Sequence, residues 1–299
     1  MNAQKYNYQI PFGYGNNVKA KFGISVLDFN NQIVKCYALG GVNKFKIGGN
    51  GTYICDQNGQ LLMMTNNCDI RDKNFRIIEN GDTLTPGFTW DEDCPEYGDY
   101  SAWQVNILLP ELSNDSVYYL IHQDANISDL YKDVITENIY LSTIIQKKDG
   151  KLILKDRKII QNGVMTSTVL TTTLNSNKTK WWINTIDFNS NVFRLYEIGG
   201  KELISTPVIS EIGIPIKNNE TGFNQINYSS ESKTLAINNR YDIGVLLYDF
   251  DNKTGKLSNF RKKLYHNFKE SAEGACFSPN GRFLYLTAGR HIFQMDMKA

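Results

Sequence analysis

The sequence predicts an all-β fold, a β-propeller built of four-stranded antiparallel blades. An apolar strand start, a polar turn and an aromatic-rich second strand recur five times along the 299 residues, at intervals that are roughly the length of one propeller blade. A further hairpin follows each recurrence, and a blade needs both hairpins to make its four strands. The turns are rich in Gly, Asn and Asp, which tolerate the positive φ of tight hairpins.

The repeated unit is clearest near the C-terminus. There a Ser278-Pro279-Asn280-Gly281 turn joins two β-rich runs, and the preceding copy keeps Tyr228 where the last copy has Phe277. From the N-terminus, the copies occupy residues 49–54, 109–119, 174–183, 225–236 and 275–286. We expect each copy to form one turn and its flanking strands in a separate blade.

The second hairpin of each interval is marked by its own turn. Asn58-Gly59 is the strongest of these signals, because Asn-Gly suits a two-residue hairpin turn. In chain order, the predicted turns lie at residues 30–32, 58–59, 148–151, 199–202 and 251–256. Apolar, β-rich runs flank every one of them, so each turn predicts a pair of strands.

The length allows six to seven blades at roughly 45 residues per blade. Residues 291–299 have the pattern of a third strand with no partner strand after it. Either the N-terminal segment supplies that partner and closes the ring, or the chain is a piece of a longer propeller; the five copies favour the second. Residues 1–4 have the character of a signal-peptide cleavage point. We expect a single β-propeller domain over residues 1–299, incomplete at its C-terminus.

Composition excludes several classes of protein. With 41% hydrophobic and 12% aromatic residues, the chain can bury a substantial core and is not disordered. The formal net charge is +1 and no run of five like charges occurs, so we expect no nucleic-acid partner. No stretch approaches about 18 consecutive apolar residues, so we expect no membrane insertion.

One block of the chain carries a family resemblance, in residues 66–74, 79–84, 94–100, 108–110 and 118–122. It resembles secreted β-propeller proteins of gliding-type bacteria, which usually carry an N-terminal signal peptide and a C-terminal sorting domain for type IX secretion. The resemblance implies a seven-bladed propeller that is secreted or displayed at the cell surface, and it implies no defined reaction. The 277–282 turn is less specific, because WD-like and lactonase-like propellers use similar turns.

The five cysteines are an odd number, which precludes complete pairing in a monomer. Cys68 and Cys94 are the best pair for a disulfide, because both lie in polar, turn-rich segments of the family-like block. Such a bond would stabilise the fold by roughly 3 kcal/mol. Unpaired or metal-linked thiols are the alternative. Cys55 and Cys276 lie in apolar strands, where a free cysteine is most often a small buried hydrophobe.

A polar string directly after a strand is the first candidate for ligand binding. It contains Asn66, Asn67, Asp69 and Arg71, at a place where propellers expose loops on a rigid scaffold. The alternative is that these side chains cap and bond their own turns.

His122 and Asp124 form the second candidate. His122 follows an aromatic strand, so alternation could direct its ring into a central channel, where it could act as an acid or base. The alternative is a histidine satisfied by hydrogen bonds at the end of its strand. His266 and His291 have no accompanying acid or nucleophile, and we expect structural or surface roles for them.

Five carboxylates within residues 91–99 could supply oxygen ligands to calcium, with Asp91, Asp93 and Asp99 as the candidates. The alternating order of an EF-hand loop is missing, and solvated loop acids are the alternative. Trp181 and Trp182 are adjacent, and adjacent side chains of a strand face opposite sides. We expect one of the two rings in the core and the other partly exposed.

These observations predict a secreted or cell-surface interaction module that binds a protein or a glycan at a propeller face, since the repeat carries no catalytic constellation. The alternative is a lactonase-like hydrolase with a polar site in the central channel, formed by His122 with Asp69, Arg71 and Asp124. A third possibility is a purely structural propeller domain of a larger surface polypeptide. Fold alone does not decide among them, because propellers host unrelated functions.

Overall fold

A computed structural model of the chain describes residues 5–13, 23–40, 45–47, 51–102, 104–166, 169–200, 206–217, 225–229, 231, 233–239, 244–264, 272–288 and 290–298. Regular structure in these residues is almost entirely β, with one α-helix. The expectations for residues 1–4, 48–50, 201–205 and His266 lie outside the described residues.

The first three sheets follow one another along the chain. Sheet 1 contains β1 (Gln9–Phe12), β2 (Ile24–Asp28) and β3 (Lys35–Gly40). Sheet 2 contains β4 (Thr52–Cys55), β5 (Leu61–Thr65) and β6 (Ile70–Asp72), and helix α1 (Phe88–Tyr97) follows it. Sheet 3 contains β7 (Asn106–Pro110), β8 (Val117–Gln123), the short β9 (Asn126–Ser128), β10 (Asp133–Gln146) and β11 (Leu152–Thr166).

The remaining three sheets repeat the pattern. Sheet 4 contains β12 (Thr171–Leu174), β13 (Trp181–Ile186), β14 (Ser190–Ile198) and β15 (Val208–Ile216). Sheet 5 contains β16 (Ile226–Tyr228), β17 (Thr234–Asn239), β18 (Gly244–Asp251) and β19 (Lys256–Leu264). Sheet 6 contains β20 (Ala272–Phe277), β21 (Phe283–Ala288) and β22 (His291–Asp296).

Every sheet is an antiparallel meander, in which strands that follow each other along the chain are hydrogen-bonded neighbours; only β9 lies off this path. This is the strand order of a propeller blade. The predicted fold class is therefore confirmed: the chain is all-β and is built of antiparallel sheets of three to five strands with blade topology. The described residues contain six such sheets, and the seven-bladed count and the incomplete C-terminal blade stay predictions.

The repeated copies mark the turn between the first and second strands of sheets 3 to 6, as the strand bounds show. The copy at residues 49–54 is the exception, because it runs into β4, the first strand of sheet 2. The first turn of that sheet is at Asn58-Gly59, where Gly59 has a φ of 81°. The assignment of Asn58-Gly59 to a second hairpin was wrong, since an Asn-Gly turn signals a hairpin without saying which hairpin of the blade it closes.

The chain divides into two compact units. Unit 1 comprises Met1–Ile127 and Glu137–Asn162, and unit 2 comprises Ser128–Thr136 and Gly163–Ala299. Within unit 1 the first strands of neighbouring sheets are in contact, β1 with β4 and β4 with β7. Within unit 2 the same holds for β12 with β16 and for β16 with β20. The expectation of a single domain over residues 1–299 stays a prediction.

Apolar side chains fill the space between neighbouring sheets of each unit. In unit 1, sheets 2 and 3 share a core that contains Ile54, Met63, Leu108, Leu120 and Ile144. In unit 2, sheets 4 and 5 share a core that contains Trp182, Phe193, Leu235, Leu246 and Tyr248. As strand alternation predicts, Trp182 is in this core whereas Trp181 is half-buried.

Gly255 lies directly against the buried ring of Trp182. It has a φ of 74°, and a Cβ added to it would lie 2.7 Å from the ring of Trp182. The ring cannot move aside, because it is buried and its Nε1 donates to the carbonyl oxygen of Asn252 at 2.9 Å. We expect Gly255→Ala to lower the free energy of unfolding by about 2–4 kcal/mol, through backbone strain and overpacking. Urea unfolding measures this loss.

Gly150→Ala is the matched control. Gly150 also has a positive φ, 85°, but no atom lies within 4 Å of an added Cβ. Its loss should be limited to backbone strain of about 1–2 kcal/mol. Equal losses at the two glycines would contradict the packing role of Trp182.

Candidate functional site

The turn between β5 and β6 contains the first two predicted binding residues, and both are buried. Asn66 Nδ2 donates to the carbonyl oxygens of Lys46 and Gly98, each at 2.9 Å. Asn67 has a φ of 77°, and its Nδ2 donates to the carbonyl oxygen of Gln123 at 3.1 Å. Both amides therefore tie this turn to other segments of unit 1. Their part in ligand binding stays a prediction.

Asp69 and Arg71 form a bidentate ion pair. Arg71 Nε and Nη2 donate to the two carboxylate oxygens of Asp69 at 2.8 and 2.7 Å. The guanidinium also lies over the ring of Phe45, 4.6 Å from its centre. Arg71 is 9% exposed, so this pair is part of the packing of unit 1 and offers little surface to a ligand.

The predicted disulfide between Cys68 and Cys94 is present, with the two Cα atoms 5.5 Å apart. It joins the β5–β6 turn to α1 inside a small apolar cluster that includes Tyr100 and Val105. Trp90 of α1 packs against this cluster, and its Nε1 donates to the carbonyl oxygen of Cys68 at 3.1 Å. The disulfide therefore holds the helix onto sheet 2 together with a hydrogen bond and apolar contacts.

The other cysteines are free. Cys55 is buried as predicted, and burial raises the pKa of its thiol to about 11. Cys276 is exposed, so the expectation of a buried side chain was wrong there. It lies on β20 with a side chain on the accessible face, which its apolar sequence neighbours do not reveal.

The acidic segment at residues 91–99 is mostly helix and not the loop that we expected. Asp91 lies in the first turn of α1, where the helix dipole favours a negative charge, and Gly98 ends the helix with a φ of 62°. The sequence signal was weak because Pro95 lies inside the helix and the apolar positions do not form a clear stripe.

The three candidate calcium ligands lie at different points of this segment. Asp93 Oδ2 accepts from the backbone N–H of Ser101 at 3.2 Å, and Asp99 Oδ1 accepts from that of Tyr100 at 3.1 Å. Among the described residues, no group of three or more His, Cys, Asp or Glu side chains is placed to hold a metal ion. The calcium site of Asp91, Asp93 and Asp99 stays a prediction from the sequence.

His122 is fully buried on β8. Its Nδ1 lies 2.9 Å from Thr85 Oγ1, its Nε2 lies 3.0 Å from Ser142 Oγ, and its ring stacks on Tyr140 at 5.0 Å. Burial lowers the pKa of His122 to about 3. The ring is therefore neutral at physiological pH and satisfied by two hydroxyls, as the alternative interpretation has it, and it presents no free nitrogen to a substrate.

Asp124 is also enclosed, at 2% exposure. Its Oδ1 accepts from the backbone N–H groups of Glu137 and Asn138 at 2.7 and 3.1 Å, and its Oδ2 accepts from Asn138 Nδ2 at 2.8 Å. Burial raises the pKa of this carboxyl and outweighs the hydrogen bonds, which act in the opposite direction. The carboxylate organises the backbone where β10 begins to pair with β8.

An open cleft of unit 1, about 560 Å³ in volume, is the feature that the sequence did not reveal. Three polar turns of sheets 2 and 3 surround it, near Asp56, Asn74 and Asp149. The sequence predicted the turns near Asp56 and Asp149, at residues 58–59 and 148–151, but not the turn near Asn74. It did not predict that the three turns lie together, because their proximity arises from the side-by-side packing of two sheets.

Glu79 joins the two sheets at one side of this cleft. Its backbone N–H donates to the carbonyl oxygen of Leu152 at 3.3 Å, and its own carbonyl accepts from Leu154 N–H at 2.9 Å. Its carboxylate pairs with Lys147 Nζ at 2.7 Å. Glu79 thereby forms a parallel β-bridge with Ile153 of β11, which joins the segment after β6 to sheet 3 at the cleft.

The cleft combines an apolar floor with a charged rim. Leu62, Ile78 and Leu152 are buried at its base, and Ile77 is 48% exposed. The charged side chains that line it are Asp56, Asp72, Lys73, Arg76, Glu79, Asp149 and Lys151. Such a surface suits a ligand with both aliphatic and charged groups.

No protein-family model matches the chain, and no curated protein matches it. A Bacteroides uniformis protein described as a "putative 6-phosphogluconolactonase" is 13% identical to it, with a TM-score of 0.46 and coverage of 96% of this chain and 78% of that one. A Bacteroides fragilis protein with the same description is 11% identical, with a TM-score of 0.39 and coverage of 97% and 96%. Kluyveromyces lactis Hsv2p is 10% identical, with a TM-score of 0.46 and coverage of 96% and 74%.

Each of these three proteins is at most 13% identical to this chain, and each TM-score is below 0.5. The resemblance to secreted proteins of gliding-type bacteria stays a prediction. Within the part of the chain that the structure describes, no helix is long and apolar enough to cross a membrane.

The disulfide should contribute measurably to stability. The bonded cysteines are 26 residues apart, and closing a loop of that length stabilises a fold by roughly 3 kcal/mol. We expect dithiothreitol to lower the melting temperature of the wild-type chain. The double variant Cys68→Ala/Cys94→Ala should melt at a similarly lowered temperature and be insensitive to the reductant. A double variant as stable as the oxidised wild type would contradict this expectation.

The buried His122 should make the fold sensitive to acid. Its pKa is about 3 in the folded chain, against about 6.5 in an unfolded chain. The stability from the neutral ring is fully present above the unfolded pKa and is lost as the pH falls from there towards the folded pKa. We expect the free energy of unfolding to fall by about 1.4 kcal/mol per pH unit in this window. Guanidinium unfolding at a series of pH values measures the slope.

His122→Gln provides the comparison, since glutamine does not titrate. Asp124 is present in both proteins, so its own raised pKa cancels in the difference between their slopes. The variant should be less stable at neutral pH but lose less stability on acidification. Identical slopes for the two proteins would show that His122 does not carry the effect.

Proposed function

We propose that the chain is a protein-binding module and that the cleft of unit 1 receives a short extended segment of its partner. The observation that carries the proposal is the open cleft of about 560 Å³ with a buried apolar floor and a charged rim. Binding sites combine apolar surface, which drives association, with a few polar groups that fix orientation. The cleft lies between hairpin turns, so a partner can enter it without displacing a strand.

A peptide fits this lining better than a glycan does. None of the described residues that line the cleft is aromatic, so a sugar ring would find no aromatic face on which to stack. Ile77 offers an aliphatic contact, and the surrounding charges offer partners for charged side chains. Aliphatic and charged groups alternate along many extended protein segments.

The hydrolase alternative requires a reactive group that a substrate can reach. His122, its central residue, is fully buried and bonded at both ring nitrogens. Asp69 and Asp124 hold a neighbouring guanidinium and backbone N–H groups. These contacts account for the polar residues as parts of the fold, and they favour the binding module.

We place the module outside the cell or at its surface. The support for this location is the disulfide, because disulfides persist in oxidising compartments and are rare in the cytosol.

Obstruction of the cleft tests the proposed function. Asn74 is exposed and lines the cleft, so Asn74→Trp should fill the space without disturbing the core. We expect peptides selected from a random displayed library on the wild-type chain to lose binding to this variant by about tenfold or more, since a bulky ring would take the place of the ligand. Fluorescence anisotropy with the selected peptides measures the affinities.

Asn177→Trp is the matched control, because Asn177 is an exposed turn residue of unit 2, which does not line the cleft. It should leave the affinities unchanged. Selected peptides that bind the Asn74→Trp variant as tightly as the wild type, or glycans that bind the wild type and not that variant, would overturn the proposal.

A further inference from the structure

We infer that the cleft recognises a carboxylate side chain next to an aliphatic one, with Arg76 and Lys73 as the residues that hold the carboxylate. This inference rests on the proposed function, because it names the chemistry of the segment that the cleft would bind. It is carried by the difference between the acids and the bases of the rim: the acids are already engaged, whereas these two bases are not.

The acids on the hairpin turns use their oxygens within their own turns. Asp56 Oδ1 accepts from the backbone N–H groups of Asn58 and Gln60 at 2.8 and 3.0 Å. Asp72 Oδ1 accepts from those of Asn74 and Arg76 at 2.8 and 2.9 Å. Because these hydrogen bonds lie within the turns, both carboxylates stabilise the conformation of their own turn.

The other two acids are paired with lysines. Glu79 Oε2 lies 2.7 Å from Lys147 Nζ. Asp149 accepts from the backbone N–H of Lys151 at 3.0 Å, and its second oxygen lies 3.6 Å from Lys151 Nζ. Lys147 and Lys151 are therefore already matched with acids of the rim.

Lys73 and Arg76 remain as the cations open to a ligand. Both are exposed, and neither side chain forms a hydrogen bond or an ion pair within the described part of the chain. A guanidinium presents a planar fork that matches a carboxylate with two parallel bonds. Ile77, beside Arg76, is 48% exposed at the cleft and supplies the aliphatic contact.

A carboxylate fits the rim better than a phosphate does. The four acids Asp56, Asp72, Glu79 and Asp149 line the same cleft. A phosphorylated side chain carries about −1.5 to −2 charges near neutral pH, so it would meet more repulsion from these acids than a carboxylate with a single charge. The observations thus favour an unmodified acidic segment over a phosphopeptide.

The test uses three short fluorescent peptides with the full chain. One has a single glutamate next to a leucine in an otherwise uncharged sequence, the second has glutamine in place of that glutamate, and the third has phosphoserine there. We expect the glutamate peptide to bind at least about tenfold more tightly than the glutamine peptide, which corresponds to one charge-assisted hydrogen-bonded pair. Arg76→Gln should reduce this difference, the double variant Lys73→Gln/Arg76→Gln should abolish it, and Arg76→Lys should keep more of it than Arg76→Gln does.

Lys253→Gln is the control, since it removes an exposed cation on a turn of unit 2 and should leave all affinities unchanged. Equal binding of the glutamate and glutamine peptides, tighter binding of the phosphoserine peptide, no binding of any peptide, or indifference to Arg76→Gln would each overturn the inference. The library selection with Asn74→Trp decides the proposed function separately. A neutral peptide that the cleft binds would leave that function standing while this inference fails.

Discussion

The constraint on which the rest of the structure depends is the burial, on both faces, of β8 in sheet 3 and of β13 in sheet 4. Every residue of β8 from Tyr118 to Gln123 is buried, and so is every residue of β13 from Trp182 to Ile186. An antiparallel sheet with one face exposed to water would have apolar and polar residues that alternate along each strand. Here water does not reach a polar side chain on either face, so its hydrogen-bond partners have to come from the protein. His122 of β8 has two such partners, whereas Asn184 of β13 has none for its side-chain oxygen or nitrogen among the described residues.

His122 shows what this constraint does to a chemically capable residue. On an accessible strand end its ring would titrate near neutral pH. Enclosed between the hydroxyls of Thr85 and Ser142, it stays neutral and bonds both neighbours. The same reasoning applies to Asn66 and Asn67, whose buried amides bridge segments of backbone. Polar residues near the inner strands thus serve the fold, and surface open to a ligand is found at the margins of the sheets.

The sequence predicted the hairpins because a hairpin is a local object. The residues of a turn such as Asp251–Lys256 and the apolar runs beside it lie together in the chain, so the signal is complete within a short window. Helix α1 was missed because its stability comes from contacts with distant residues, through the disulfide and the bond from Trp90 to Cys68. The cleft was missed for a related reason, since its walls come from turns that only the packing of sheets 2 and 3 brings together.

The cleft exists because sheet 2 departs from the repeat. β6 is three residues long, and the chain beyond it does not add a regular fourth strand but turns and joins β11 through Glu79. A regular outer strand would place its side chains against the neighbouring sheet, as the contact between β15 and β19 does in unit 2. In sheet 2 the shortened edge leaves Leu62, Ile78 and Leu152 with a solvent-facing opening above them. The backbone hydrogen bonds of Glu79 with Leu152 and Leu154 join the two sheets at one side of this opening. A departure from blade regularity at the margin therefore leaves Ile77 48% exposed beside the buried apolar floor of the cleft.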